Sequence, residues 1–405
     1  MVLQAGTPPV QFNERGTPMQ NFYYSIPTEI YFGKGEISHL GEAVSKYGRN
    51  ALLVYGGGSI KKLGLYDEAL RQLSSHGVAV TELAGVEPNP KITSVRKGVD
   101  LCREKGIDVV LPIGGGSTID CAKVIAAGAK YDGDAWDLVT DPGKIADALP
   151  IVSVLTLAAT GSEMDPHAVI SDMEANDKLC TSSPLMKPKA SVMDPTYTFS
   201  VSKKQTAAGT ADIMSHTFES YFNPFDGAYV QNSFSEVILK TCIKYGPIAL
   251  REPDNYEARA NLMWASSLAI NGILSLGAPV AWVVHPIEHE LSAFYDITHG
   301  EGLAIITPRW MRYILSDKTV DKFAAYGINV WGIDASLDRF EIANKAIDMT
   351  YDFFVSLGIP MTLKEVGIGE EKLEIMAKKA AAMGLDAGYV PLNADDVLKI
   401  LRACL

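Results

Sequence analysis

The run DVVLPIGGGSTID, Asp108–Asp120, decides the fold. A short apolar segment, Asp108–Ile113, runs directly into Gly114-Gly115-Gly116-Ser117, and a helical pattern over Ile119–Ala129 follows. A buried strand that stops at a glycine turn and continues as a helix is the repeating unit of a parallel sheet. The unit recurs on both sides of this run. Ala51–Val54 (ALLV) leads into Gly56–Ser59, and Val78–Leu83 (VAVTEL) precedes the turn-rich Glu87–Pro90. Pro150–Leu155 (PIVSVL) leads into a loop over Thr156–Ser162, and helical stretches fall at Leu65–His76 and Ile92–Lys105. The pattern predicts a doubly wound, Rossmann-like α/β domain whose ligand lies at the strand carboxyl ends.

From about Ser200 the periodicity changes. Lys203–Tyr221, Ala228–Leu250, Tyr256–Leu274, Ala281–Phe294, Asp338–Leu357 and Lys372–Met383 carry helical spacing, with few β-rich runs between them. An all-helical second domain follows from this. The expected organisation is a polar N-terminal extension over 1–20, an α/β dinucleotide-binding domain over 21–198 and a helical metal-binding domain over 199–405.

Composition narrows the function classes. The 405 residues are 47% hydrophobic and 21% charged, with a formal net charge of −12 and no Lys/Arg block. Such a surface offers no electrostatic footprint for nucleic acid or for an anionic membrane. Apolar runs such as Ile151–Ala159 and Ala278–Val284 are far too short to span a bilayer. The N-terminus has no basic start followed by an apolar stretch, which argues against a secretory signal. Five cysteines, an odd number without CxxC spacing, fit reduced thiols in the cytoplasm.

Two segments are candidates for phosphate binding. Only glycine lets a backbone approach a phosphate closely, and the N–H groups opening a helix attract anions. The triplet Gly114–Gly116 joins an apolar strand to a helix, which favours a pyrophosphate over an empty strand–helix turn, although the spacing is not GxGxxG. The second segment, Tyr55-Gly56-Gly57-Gly58-Ser59, is followed by Lys61 and Lys62, with no carboxylate between Val54 and Leu65. A carboxylate at such a position would hold a ribose 2′-hydroxyl, and its absence leaves room for a 2′-phosphate, which tilts the expected cofactor towards NADP(H) with NAD(H) possible. The competing reading of Lys61 and Lys62 is two solvated lysines beside a plain turn.

Asp212 and His216 stand four apart in one helical stretch, on one face. His285 and His289 repeat that spacing on a second stretch, and His299 follows in the loop Asp296–Gly300. A carboxylate with several imidazoles suits Fe²⁺ or Zn²⁺, and the ligand types alone do not choose between them. His39, His76 and His167 read as ordinary core or surface residues.

At these residues the chain resembles a known family. DIMSHTFES (Asp212–Ser220), HPIEHELSAFYDITHGEG (His285–Gly302) and GGGSTID are similar to the iron-containing (group III) alcohol dehydrogenases. YFGKG (Tyr31–Gly35), YGGGSIKKLG (Tyr55–Gly64), GVEPNP (Gly85–Pro90) and LTLAATGSE (Leu155–Glu163) resemble its butanol dehydrogenase and aldehyde reductase branch. The resemblance implies metal ligation by Asp212, His216, His285 and His299, with His289 unligated beside the nicotinamide. It implies Gly115, Gly116 and Ser117 on the pyrophosphate, with Asp120 near by. Thr156, Leu157 and Thr160 fall around the phosphates and nicotinamide ribose, Asp165 and Lys178 on the ribose and nicotinamide side, and Thr196 near the adenine. In a related branch an Asp selects NAD at the position of Gly57, so Gly57 and Ser59 are expected beside a 2′-phosphate. The resemblance also implies a homodimer and a fold like dehydroquinate synthase.

The expected reaction is reversible hydride transfer between NADP(H) and a short primary alcohol or aldehyde such as butanol or butanal. The metal acts as Lewis acid, and His289 either relays a proton or shapes the pocket. Phe294, Tyr295, Trp282 and Trp264 could line an alkyl chain or merely fill a core. A dehydroquinate-synthase-type lyase is the rival enzyme. It needs a cationic pocket, whereas no Lys or Arg lies between Ala281 and Gly302. A non-catalytic nucleotide-sensing module is the rival outside enzymology, and it gives no reason for the Asp and His cluster.

Overall fold

The computed structural model describes residues 18–225 and 227–405. The expected N-terminal extension therefore lies mostly outside the described residues. Within them the chain divides into two compact units, 25–200 and 18–24 with 201–405.

The first unit is built on eight strands: β1 (Glu29–Phe32), β2 (Asn50–Tyr55), β3 (Ala79–Ala84), β4 (Val109–Gly114), β5 (Val152–Leu155), β6 (His167–Asp172), β7 (Asp177–Ser182) and β8 (Ala190–Met193). Six form a parallel sheet in the order β1-β8-β5-β4-β2-β3, and β6 and β7 pair as an antiparallel hairpin. Helices α1 (Leu40–Ser45), α2 (Ser59–Lys62), α3 (Leu65–Ser75), α4 (Ile92–Lys105), α5 (Gly116–Gly128) and α6 (Ala135–Thr140) connect them.

The near-continuous apolar strands are explained by two cores. Ala51, Leu53, Tyr55, Val109, Leu111 and Ile113 enter one, with Leu65, Ala69 and Leu73 of α3. Leu52, Val54 and Val110 alternate into the other, with Val95 and Val99 of α4 and Ile125 of α5. Both faces are covered, so a period of two would place polar residues in a core. Pro112 lies inside the central strand β4. It has no N–H to donate, and it sits where the ladder to β5 is interrupted, between the Val110–Ile151 bridge and the Ile113–Val154 pair.

The strand order reverses between β2 and β4. From β2 the chain moves outward to β3, then returns to β4 on the other side and continues through β5. Loops that leave two such strands diverge and open a crevice at the carboxyl ends. Gly56–Gly58 and Gly114–Gly116 occupy those two ends.

The second unit is helical: α7 (Lys203–Tyr221), α8 (Tyr229–Arg251), α9 (Tyr256–Ile270), α10 (Val284–Tyr295), α11 (His299–Ile314), α12 (Val320–Trp331), α13 (Arg339–Ser356), α14 (Leu373–Ala381) and α15 (Ala394–Ala403). Nearly every residue of α7 from Thr206 onward is buried, which marks it as the central helix. Residues 18–24 belong with this unit, where the Gln20 N–H donates to the Gly277 carbonyl at 2.8 Å.

Several elements lie outside the stretches that the sequence patterns mark: β1, β8 and the β6–β7 hairpin in the first unit, and α11, α12 and α15 in the second. His299 is not in a loop: Thr298 is the N-cap, and His299 is the first residue of α11.

Candidate metal centre and nucleotide loops

The metal candidates belong to three helices of the second unit. On α7, Asp212 and His216 are 2% and 4% exposed, so neither is solvated. Asp212 Oδ1 lies 3.7 Å from His216 Nδ1, 3.9 Å from His285 Nε2 and 3.8 Å from His299 Nε2. These separations are too long for hydrogen bonds. Two ligands bound at about 2.0–2.2 Å to one ion can stand up to roughly 4 Å apart, so the same separations fit atoms sharing a cation. Asp212 Oδ1 and His285 Nε2 are buried without a hydrogen-bond partner. Atoms of that kind are costly to bury unless something is coordinated between them. The residues present therefore fit a divalent metal.

Two carboxylates behind the imidazoles complete the arrangement. Glu219, one turn beyond His216 on α7, accepts from the N–H groups of Val283 and His285 at 2.6 and 2.9 Å and from His285 Nδ1 at 2.9 Å. Glu288 receives His299 Nδ1 on one oxygen and the Ser292 hydroxyl on the other. A carboxylate only accepts, so each Nδ1 carries the proton and each Nε2 presents its lone pair towards Asp212. Burial would raise the Asp212 carboxyl, but the surrounding imidazoles, His216 foremost, hold it down at about 2. Burial likewise opposes protonation of His285, which Asp212 and Glu219 nevertheless push up to about 9. The His285 shift expresses the negative charge of those two buried carboxylates, which a bound cation would offset.

A second grouping, Glu288, His289 and His299, also brings potential ligand atoms together, as does Asp212 with His285 and His299. Chemistry separates them. Both Glu288 oxygens already accept hydrogen bonds, whereas Asp212 Oδ1 has none. The Asp212 grouping is the better cation cage, and His289 stands beside it, its ring 6.5 Å from that of His285 and 5.8 Å from that of His299.

Close backbone packing fixes these helices. A Cβ on Gly300 would fall 2.0 Å from the Ala208 carbonyl oxygen, one turn before Asp212 on α7, and one on Gly302 would fall 2.7 Å from Glu288 Cγ. Only glycine lets the start of α11 approach α7 so closely. Of the four aromatics considered from sequence, Trp282 sets its ring edge-on to His216 and His285 at 5.9 and 5.0 Å. Phe294 and Tyr295 lie beneath the Lys372 ammonium, and Trp264 is 39% exposed. The segment 281–302 carries no cation itself, but Lys204 reaches Glu301 at 3.1 Å and Lys379 reaches Glu290 at 3.5 Å.

In the first unit the nucleotide candidates gather at one end of the sheet. Gly115 is the N-cap of α5, and the first bond of the helix runs from Thr118 N–H to Gly115 O, so the Gly116 and Ser117 amides precede the ladder. The loop after β5, with Thr156, Leu157 and Thr160, crosses this turn so tightly that a Cβ on Gly116 would lie 2.2 Å from Thr160 Oγ1. Thr196 follows β8, where its N–H and hydroxyl donate to Asp194 at 2.9 and 2.7 Å. Gly57 and Ser59 follow β2, and a Cβ on Gly57 would meet nothing within 4 Å. Lys61, read as a candidate phosphate cation, lies over the Tyr66 ring at 4.3 Å and 3.9 Å from Glu82.

Three further candidates turn inward. Asp120 accepts from the Ser162 hydroxyl at 2.5 Å and the Val169 N–H at 2.9 Å, and burial pushes its carboxyl up to about 6. Asp165 accepts from Lys123 Nζ at 2.5 Å and the His167 N–H at 2.9 Å. Lys178, on β7, is 3% exposed. Glu219, Glu288 and Lys123 are the residues that sequence reading missed. Glu219 falls three after His216 and Glu288 three after His285, a spacing that places each on its histidine's side of the helix.

Residues 27–195 match the family described as iron-containing alcohol dehydrogenase, and residues 206–405 match the Fe-containing alcohol dehydrogenase family, C-terminal. The chain is 62% identical to NADH-dependent butanol dehydrogenase A of Clostridium acetobutylicum, over 95% of this chain and 99% of that protein. It is 40% identical to the NADPH-dependent aldehyde reductase YqhD of Escherichia coli, over 91% of this chain and 94% of that one. The crystal structure of NADH-dependent butanol dehydrogenase A from Thermotoga maritima superposes with a TM-score of 0.91 at 37% identity, covering 96% of this chain and 99% of that one.

Proposed function

The chain belongs to the iron-containing alcohol dehydrogenase family and is an oxidoreductase, and from that premise we propose that it interconverts a short-chain primary alcohol and its aldehyde, butanol and butanal among them, with a nicotinamide cofactor and a divalent metal, Fe²⁺ first and Zn²⁺ as the alternative. The observation that carries the metal assignment is Asp212 Oδ1, buried without a hydrogen-bond partner and facing three imidazole nitrogens at 3.7–3.9 Å.

Asp212, His216, His285 and His299 would hold the metal, and Gly115, Gly116, Ser117, Thr156, Leu157 and Thr160 the nucleotide. When bound, the metal supplies Lewis acidity towards the substrate oxygen, and the nicotinamide supplies or accepts the hydride. The residues' own part is positional and protonic. Glu219 and Glu288 hold His285 and His299 in the tautomer whose Nε2 is free to ligate. His289, 7% exposed beside the cluster, takes up the alcohol proton on a ring nitrogen in oxidation and returns it in reduction. Trp282 presents apolar surface to the imidazoles. Glu301 and Glu290 each face a lysine, so the segment carries little unbalanced charge to attract an anionic substrate. That balance favours an aldehyde over the phosphorylated, carboxylated substrate of a lyase.

The cofactor reading becomes more permissive than the sequence suggested. Gly57 leaves open space where a 2′-phosphate could sit, but Lys61 is already engaged by Glu82 and Tyr66. One relative is named NADH-dependent at 62% identity and another NADPH-dependent at 40%. The proposal is that both cofactors are accepted, with the 2′-phosphate tolerated and not gripped. A cytoplasmic homodimer belongs to the same proposal, resting on family likeness and on free thiols at all five cysteines.

The test is a kinetic panel of short aldehydes with NADH and NADPH, before and after chelation. Chelation should abolish turnover, and Fe²⁺ or Zn²⁺ should restore it. Turnover that persists in fully metal-free protein overturns the metal assignment.

A further inference from the structure

Lys123 is fully buried in the first unit, with 0% of its surface exposed. It lies on α5, two turns beyond the glycine loop that opens that helix. An ammonium has three N–H donors, and Lys123 Nζ uses them on Ser162 Oγ at 2.8 Å, Asp165 Oδ1 at 2.5 Å and the His167 carbonyl at 2.7 Å. All three acceptors belong to one stretch, 162–167, which carries the chain out of the loop after β5 and into β6.

Asp120, three residues earlier on the same helix, holds the same Ser162 hydroxyl and, beyond that stretch, the Val169 N–H of β6. The Ser162 hydroxyl thus accepts from Lys123 and donates to Asp120. A third anchor comes from the sheet, where Ser191 Oγ donates to the Glu163 carbonyl at 2.8 Å and pairs with Ser153 Oγ at 2.7 Å. At its other end the same loop lies on the glycine turn, where Thr160 Oγ1 would be 2.2 Å from a Cβ on Gly116. The glycine turn and the 156–162 loop are therefore two sides of one cradle, tied together from beneath.

We propose that Lys123 is a positioning residue for cofactor binding, holding the 156–162 loop in register with the Gly114–Gly116 turn through Ser162 and Asp165. The inference rests on the nucleotide reading of those two loops given above. Asp165 acts in the same way: its Oδ1 is taken by Lys123 and by the His167 N–H, so it serves the cofactor through the loop.

The test is a double-mutant cycle of Lys123→Met, Asp165→Asn and the double variant. Each is assayed by the equilibrium quenching of protein fluorescence by NADH and NADPH, with thermal unfolding and Co²⁺ uptake measured in parallel. Each single variant should weaken cofactor binding by about 10- to 100-fold, the scale of losing a hydrogen bond to a charged group. Co²⁺ uptake should stay at the wild-type level. The double variant should be no weaker than either single one, because the two groups act as a unit. A residue that only stabilises the fold would lower the unfolding temperature and leave the affinity of the folded protein unchanged, and that result overturns the proposal. So do additive effects in the cycle. If Lys123→Met does not fold, Ser162→Ala leaves the Lys123–Asp165 pair intact and should still weaken cofactor binding about three- to tenfold. Wild-type affinity in that variant overturns the proposal as well. If the wild-type protein itself binds neither cofactor, the nucleotide reading fails and takes the cofactor role of Lys123 with it, an outcome distinct from wild-type affinity in the variants.

Discussion

The Nδ1 atom of His285 lies 2.9 Å from Glu219 Oε1, and the same carboxylate also accepts the backbone N–H groups of His285 and Val283. One carboxylate on α7 thus fixes the ring, the tautomer and the backbone of a residue that opens α10. Glu219→Gln keeps the shape but can offer an amide N–H where the imidazole needs an acceptor. Metal affinity should fall about 10- to 100-fold, the usual effect of losing such an outer partner. Activity against free metal concentration should shift to the right, with kcat largely recovered at saturation. An unshifted metal titration would show that Glu219 serves only the fold.

Gly300→Ala places a methyl group 2.0 Å from the Ala208 carbonyl oxygen, a rigid backbone atom that cannot step aside. The start of α11 must move, and His299 moves with it. Overpacking of this kind costs about 1–3 kcal/mol. The folded variant should bind less than one equivalent of metal under conditions that saturate the wild type, as read by elemental analysis.

Gly57→Asp puts a carboxylate where a Cβ meets nothing within 4 Å, so the fold should be indifferent to it. Its charge should act on the cofactor alone. The expected outcome is a fall in kcat/KM for NADPH of at least about tenfold, equivalent to ~1.4 kcal/mol of like-charge repulsion near a surface, with NADH affected far less. Equal losses with both cofactors would remove Gly57 from the neighbourhood of the 2′-phosphate.

Burial first of all pushes the Asp120 carboxyl up to about 6, from the ordinary aspartate value of 3.8. Between these values the folded state binds more proton than the unfolded state. Its contribution to stability is complete below about pH 4 and is lost as pH rises through 6. Asp120→Asn should remove this dependence. The unfolding free energy of the variant relative to wild type should therefore rise by up to about 3 kcal/mol between pH 4 and pH 7. A difference that stays flat over that window contradicts the shift.

The sequence carried the sheet and the central helices clearly, because buried parallel strands and long helical repeats leave strong patterns. Ala51–Val54 and Asp108–Ile113 are apolar since both faces of β2 and β4 are covered. Asp212 and His216 could be paired from spacing, as both lie within one helix. Their meeting with His285 and His299 depends on how three helices pack, which no local pattern encodes. Glu219 and Glu288 read as ordinary helix-surface charges until burial shows otherwise, and Lys123 does so for the same reason. His299 looked like a loop residue because Asp296 and Gly300 are turn formers. In the structure, Asp296 ends α10 at a φ of 51°, and Gly300 serves the approach of α11 to α7.

The contact of Gly300 with the Ala208 carbonyl also bears on ionic radius. An ion held by Asp212 and His299 would sit across a joint made of two backbones already in contact, and such a joint cannot close further. Fe²⁺ and Zn²⁺ form bonds of about 2.0–2.2 Å to these ligand types, whereas Ca²⁺ asks for about 2.3–2.6 Å and a flexible shell of oxygens. The joint therefore works as a calliper with one fixed jaw: it sets the closest approach of α7 and α11, and so the smallest cage that Asp212 and His299 could make, while the choice against Ca²⁺ is left to the imidazole ligands.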